Sequence, residues 1–134
     1  MEKKEKRQKV AERLSDENTL QFYQKILEGS REAIIVTTMD SKIIYANQAA
    51  ADLVHLTKRE LMEHEWKDFF PAVPEEILVY FKEELHEHGK LEDETVLHLK
   101  DGTMKFVQIT IQRDENLQMV IYYLRDITYL KEKD

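Results

Sequence analysis

A chain of 134 residues with a formal charge of −7 and no cysteine has the size of one domain built on one hydrophobic core. The acidic balance argues against nucleic acid as a partner, because phosphate binding needs a basic face, and the missing thiol excludes cysteine nucleophiles, cysteine-ligated zinc and iron–sulfur clusters. No apolar run approaches the eighteen or so residues of a membrane span, so a soluble, cytoplasmic chain with no membrane partner is expected.

Residues 1–14 are almost entirely charged and net basic, with Val10, Ala11 and Leu14 alone to offer a partner; such a segment frays in isolation. Apolar spacing predicts an amphipathic helix over residues 16–28. Leu20, Tyr23 and Leu27 share one stripe, Phe22 and Ile26 lie beside it, Ser15 is placed to cap its start and Gly29 to stop it. A β-branched run predicts a strand over 33–39, a turn at Asp40-Ser41 and a second strand over 42–46. Asn47 then stands where a helix cap belongs, before the helix-forming run 48–53, and Thr57 and Glu60 have the spacing of a capping box that opens a second short helix.

Pro74 reads as the first residue of a longer helix, with Glu75 and Glu76 at its positive end and Gly89 beyond its last turn; Ile77, Phe81 and Leu85 form the series expected to face a core. Three strands follow, over 95–100, 103–112 and 118–127, joined by turns at Asp101-Gly102 and Asp114-Glu115-Asn116. Alternation puts Leu97, Leu99, Val107, Ile109 and Ile111 on one face and Val96, His98, Phe106, Gln108 and Thr110 on the other. The fold class is therefore α+β, a five-stranded antiparallel sheet with helices on one face. The last strand breaks the scheme, because Met119 to Leu124 are apolar on both sides, which requires a cover for the outer face too. The helix over 16–28 is the expected cover. Supplied by a second copy it would make Leu20, Phe22, Tyr23, Ile26 and Leu27 the interface of a homodimer; supplied in cis it would satisfy the same pattern in a monomer.

Catalysis finds little support. Ser15, Ser30 and Ser41 have no adjacent histidine, three glycines make no phosphate loop, and the carboxylates are interspersed with lysines as on solvated helix faces. His86 and His88 point about 200° apart on a helix, so they do not form a metal pair. The chain reads as something other than an enzyme.

The run 34–47, the turn Lys100-Asp101-Gly102 and the closing Tyr122-Tyr123-Leu124-Arg125-Asp126-Ile127-Thr128 together resemble a PAS domain over residues 30–128, preceded by a flanking helix over 1–29 and followed at 129–134 by the start of a linker to an effector. The resemblance implies a sensory module, such as the input region of a bacterial histidine kinase in a two-component system, whose helices close over the inner sheet face. A cavity there would be lined by Thr37, Asn47, Trp66, Phe70, Tyr80, Leu97, Val107, Ile109 and Tyr122, apolar with few polar anchors, as small-molecule sites are. A small apolar ligand, flavin or haem are the occupants it implies, and the absence of cysteine removes any cysteinyl-flavin adduct. With the aromatics filling the space instead, the module would serve protein–protein interaction alone. Asp126 and Thr128 are, by the same resemblance, the relay that ties the sheet to an effector C-terminal to this chain.

Overall fold

The structure is a computed structural model that describes residues 2–5, 17–71 and 74–132, with side chains omitted at 17–19. The chain divides into two compact units, Met1–Ser30 and Arg31–Asp134.

In the first unit, helix α1 spans Glu17–Gly29. Gly29 is its last residue rather than the stop beyond it, and Ser30 N–H closes the end on the Leu27 carbonyl at 3.3 Å. Ser15 lies outside the described residues. Leu20, Phe22, Tyr23 and Ile26 are exposed and Leu27 is half-buried.

The second unit is a five-stranded antiparallel sheet in the order β2-β1-β5-β4-β3, with β1 over Ala33–Thr38, β2 over Ile43–Ala46, β3 over Lys90–His98, β4 over Met104–Asp114 and β5 over Met119–Asp126. Between β2 and β3 run α2 (Gln48–Val54), α3 (Lys58–Met62), a single 3-10 turn (Trp66–Phe69) and α4 (Glu75–His88); α5 (Thr128–Glu132) follows the sheet. Ile35, Leu97, Val107, Ile109 and Leu124 pack from the sheet against Ala50, Leu53, Val54, Leu61, Trp66 and Phe69, so apolar burial and alternation place the core where expected.

Local chemistry fixes the near side of this unit. The Asn47 Oδ1 accepts from Ala50 N–H at 2.9 Å as a helix cap and from Ile34 N–H at 3.0 Å, while Nδ2 donates to the Glu32 carbonyl at 2.9 Å. One buried side chain thus ties α2 to the start of β1. Thr57 and Glu60 form the capping box, each accepting the other's backbone N–H at 3.1 Å. His55 ends α2 in the left-handed region and places Nδ1 2.7 Å from Asp101 Oδ2, a partner from the β3–β4 turn that spacing alone did not name.

Several boundaries differ from the sequence expectation. Strand β3 begins at Lys90, not Thr95, because Gly89 closes α4 at φ 68° and its carbonyl accepts from Arg113 N–H at 3.0 Å, starting the ladder at once. Pro74 is the cap of α4 rather than its first residue. The β4–β5 turn runs on to Gln118, which takes a positive φ of 53°. Most consequentially, α4 buries none of its residues: Phe81 and Leu85 are half-buried and Ile77 is exposed. The spacing of 77, 81 and 85 holds, but the helix lies over a space rather than on a packed core.

Candidate ligand-binding site

That space is a cavity of about 360 Å³. Its floor is the inner sheet face at the β3–β4–β5 end, where register brings Leu91 opposite Ile111, Asp93 opposite Ile109, and Ile111 opposite Tyr122. One wall is Trp66, Phe70 and Pro71, the other is Leu78 and Phe81 of α4, and Ser41 and Lys67 stand at the rim.

The wall is positioned by the β1–β2 turn. Ser41 sits at φ 76°, its carbonyl accepts from Trp66 N–H at 3.0 Å, and its hydroxyl accepts from Lys67 N–H at 2.9 Å. A Lys42–Glu65 bridge continues the same seam. The indole is thereby fixed, with the Phe70 ring perpendicular to it at 5.0 Å, Tyr122 at 5.8 Å and Phe69 at 5.3 Å. Its Nε1–H is buried with no acceptor among the described residues, and an unsatisfied buried donor costs about 1–3 kcal/mol. Burial pushes the Tyr122 hydroxyl above the ordinary phenol range, and the Thr37 hydroxyl partly opposes this.

Of the nine residues expected to line a cavity, Trp66, Phe70, Ile109 and Tyr122 do so. Leu97 and Val107 lie one step further along the same face, wholly buried under Trp66 and Phe69 in the core. Thr37 and Asn47 are buried outside the lining; Asn47 is engaged as cap and bracket, so it offers no amide to a ligand there. Tyr80 is exposed on the outer side of α4, beside Phe81 rather than in the cavity. Leu91 and Asp93 are not legible in the sequence because 90–94 is four-fifths charged and reads as the connection between the helix that Gly89 closes and a strand over 95–100. The signal that would have found them is the period-two run Leu91, Asp93, Thr95, Leu97.

No histidine is in the lining, and His86 and His88 are exposed at the far end of α4, His88 lying 3.8 Å from Glu84 and Glu87. The cavity walls therefore do not fit a histidine-ligated haem. A flavin held between a tryptophan and an asparagine, which Trp66 and Asn47 would have to supply, fits no better, since Trp66 is in the wall and Asn47 is not.

At the end of β5, Asp126 Oδ1 accepts from Thr128 N–H at 2.9 Å and its other oxygen stands 3.7 Å from Lys105 Nζ. Burial opposes the Asp126 charge, but the Thr128 hydroxyl and amide and Lys105 outweigh it and hold the carboxyl below its ordinary range. The Thr128 hydroxyl accepts from Phe106 N–H at 3.0 Å, and Ile127 N–H donates to the Phe106 carbonyl at 2.8 Å. The start of α5 is thus stitched to β4.

A twisted antiparallel sheet with short helices folded over one face, an inner cavity and an Asp-Ile-Thr knot at the last strand define a sensory-domain architecture. Residues 31–129 match the PAS domain family, and the chain belongs to it. Sporulation kinase E of Bacillus subtilis (strain 168) is 23% identical over 124 residues, covering 89% of this chain and 17% of that protein; the chain thus spans about a sixth of the curated relative. Among solved structures, the PAS domain of a protein from Colwellia psychrerythraea superposes with a TM-score of 0.70 at 24% identity, covering 83% of this chain and 98% of that one. A domain of a sensory box sensor histidine kinase/response regulator from Geobacter sulfurreducens gives 0.69 at 13% identity, covering 84% and 99%. The chain is a PAS sensory domain, a module whose known relatives include parts of sensor histidine kinases.

Proposed function

We propose that this PAS domain is the cytoplasmic input module of a histidine kinase, that it binds a small, largely apolar molecule between the inner sheet face and α4, and that it reports occupancy to an effector region C-terminal to it. The observation that carries this reading is the cavity itself: about 360 Å³, within the range of small-molecule sites, and walled on one side by a helix with no buried residue. Occupancy would draw Leu78 and Phe81 inward and shift strands β4 and β5, where Lys105 of β4 and Asp126 of β5 meet the start of α5 at Thr128.

Adding a ligand should raise the melting temperature and change the fluorescence of Trp66, the single tryptophan, since a molecule that binds only the folded state stabilises it. Ile109→Trp should abolish that response while costing less than the roughly 1–3 kcal/mol of overpacking a filled core. Severe destabilisation by Ile109→Trp, with no thermal shift across a compound library, would instead mark a filled interaction module.

The exposed stripe Leu20, Phe22, Tyr23 and Ile26 supports α1 as the homodimer element, because exposed apolar ridges of this kind mark association surfaces. Analytical ultracentrifugation should show a concentration-dependent dimer that the pair Leu20→Glu and Ile26→Glu dissociates. A monomer at every concentration would exclude it.

A further inference from the structure

We propose that the ligand of the cavity is a small organic cation, an alkyl- or arylammonium, held by aromatic faces and the Asp93 carboxylate. This rests on the reading above that the cavity takes a ligand. Four of its lining residues are aromatic, Trp66, Phe70, Phe81 and Tyr122, with the Trp66 and Phe70 rings at 89° to each other, so that they meet as a corner rather than a stack. Rings gathered around a space attract a cation through their negative faces, most strongly for tryptophan.

Asp93 supplies the second observation. It occupies an inner-face position of β3, opposite Ile109 and between Leu91 and Thr95, where alternation calls for an apolar side chain. Asp93 lines the cavity on its solvent-exposed side and has no ion-pair partner among the described residues; one carboxylate oxygen accepts the neighbouring Glu94 N–H at 2.8 Å. Lys67 is the one cation in the lining, and it is already engaged, with Nζ 3.1 Å from Glu65 Oε2 and with Asp68 and Asp40 adding to the negative field around it. The mouth therefore presents net negative charge to an incoming ligand, and an unpaired carboxylate beside rings favours an ammonium over a neutral molecule of the same shape.

Phenyltrimethylammonium and its uncharged isostere tert-butylbenzene provide the test, titrated into the full chain at low salt and followed by Trp66 fluorescence and melting temperature. The cation should bind about ten-fold tighter than the isostere, as cation–π attraction with a carboxylate nearby implies. Asp93→Asn should reduce that preference by weakening the cation more than the isostere, and Phe81→Leu should do the same through the loss of a ring face. Equal binding of the two probes, or a preference that Asp93→Asn leaves undiminished, overturns the cation proposal and leaves the cavity reading in place. Failure of both probes to bind overturns the two together.

Discussion

Helices α2 and α4 lie over the same sheet, yet α2 buries Ala50, Ala51, Leu53 and Val54 while α4 buries none of its fourteen residues. The difference begins in the side chains. Small alanines let α2 approach the sheet closely, and both its ends are fixed, by the Asn47 bracket and by His55 against Asp101. Helix α4 carries Ile77, Leu78, Val79 and Tyr80 around its whole circumference, all exposed, and its N-terminal cap, Pro74, makes no side-chain bond. A rigid half thus frames the sheet, and a loosely held half leaves room for a ligand. Sites that must open and close are drawn from the less stable parts of a fold.

The sharpest test of that contrast is Asn47→Ala. It removes the helix cap and strands the buried Ile34 N–H, so the loss should reach about 3 kcal/mol in urea denaturation, from one cap and one unsatisfied buried group. A loss under about 1 kcal/mol would mean that the bracket is not what holds α2 down.

The next comparison sets Leu53→Ala against Leu78→Ala. Leu53 is 8% exposed and Leu78 is 44% exposed, so truncation should cost about 2–4 kcal/mol at the first and under about 1 kcal/mol at the second. Equal costs in denaturant melts would show that α4 packs as firmly as α2 and would remove the physical basis for a yielding wall.

The same contrast explains what the sequence made legible. Capping residues act locally, through one or two hydrogen bonds within a turn, and so Asn47 and the Thr57–Glu60 box stand out in the residue order. Strand alternation likewise put Val107 and Ile109 on the inner face. What periodicity cannot convey is whether the face of a helix meets side chains or a void: Ile77, Phe81 and Leu85 have the same spacing in both cases. Nor could the charged run 90–94 announce a strand, since its lysine and glutamates are tolerated at a sheet edge where they deter pairing with other chains. With that strand went Asp93, and the ring-and-carboxylate arrangement of the cavity became visible only through the β3–β4 register. The aromatic cluster depended on Ser41 anchoring the 3-10 turn across 25 residues of chain, a contact between distant segments that no local pattern encodes.

The smallest effect belongs to the seam between β4 and α5. The folded Asp126 carboxyl is held below its ordinary value, so its contribution to stability is complete above the normal carboxylate range and is lost as pH falls through the depressed folded value. Asp126→Asn keeps an acceptor for Thr128 N–H and removes only the charge, which faces Lys105 at 3.7 Å and is partly screened by water; the cost near neutral pH should be about 0.5–1 kcal/mol. The informative measurement is a difference between the two proteins. Asp101 is also depressed, by His55 and Thr103, but it is present in both and cancels. Stability of the native chain should therefore fall toward that of the variant as pH drops below the ordinary carboxylate range, the two curves converging once Asp126 is protonated. Parallel curves across that window would show that the carboxylate is not engaged, and would leave the Thr128 hydroxyl and Ile127 amide to hold the start of α5 to β4.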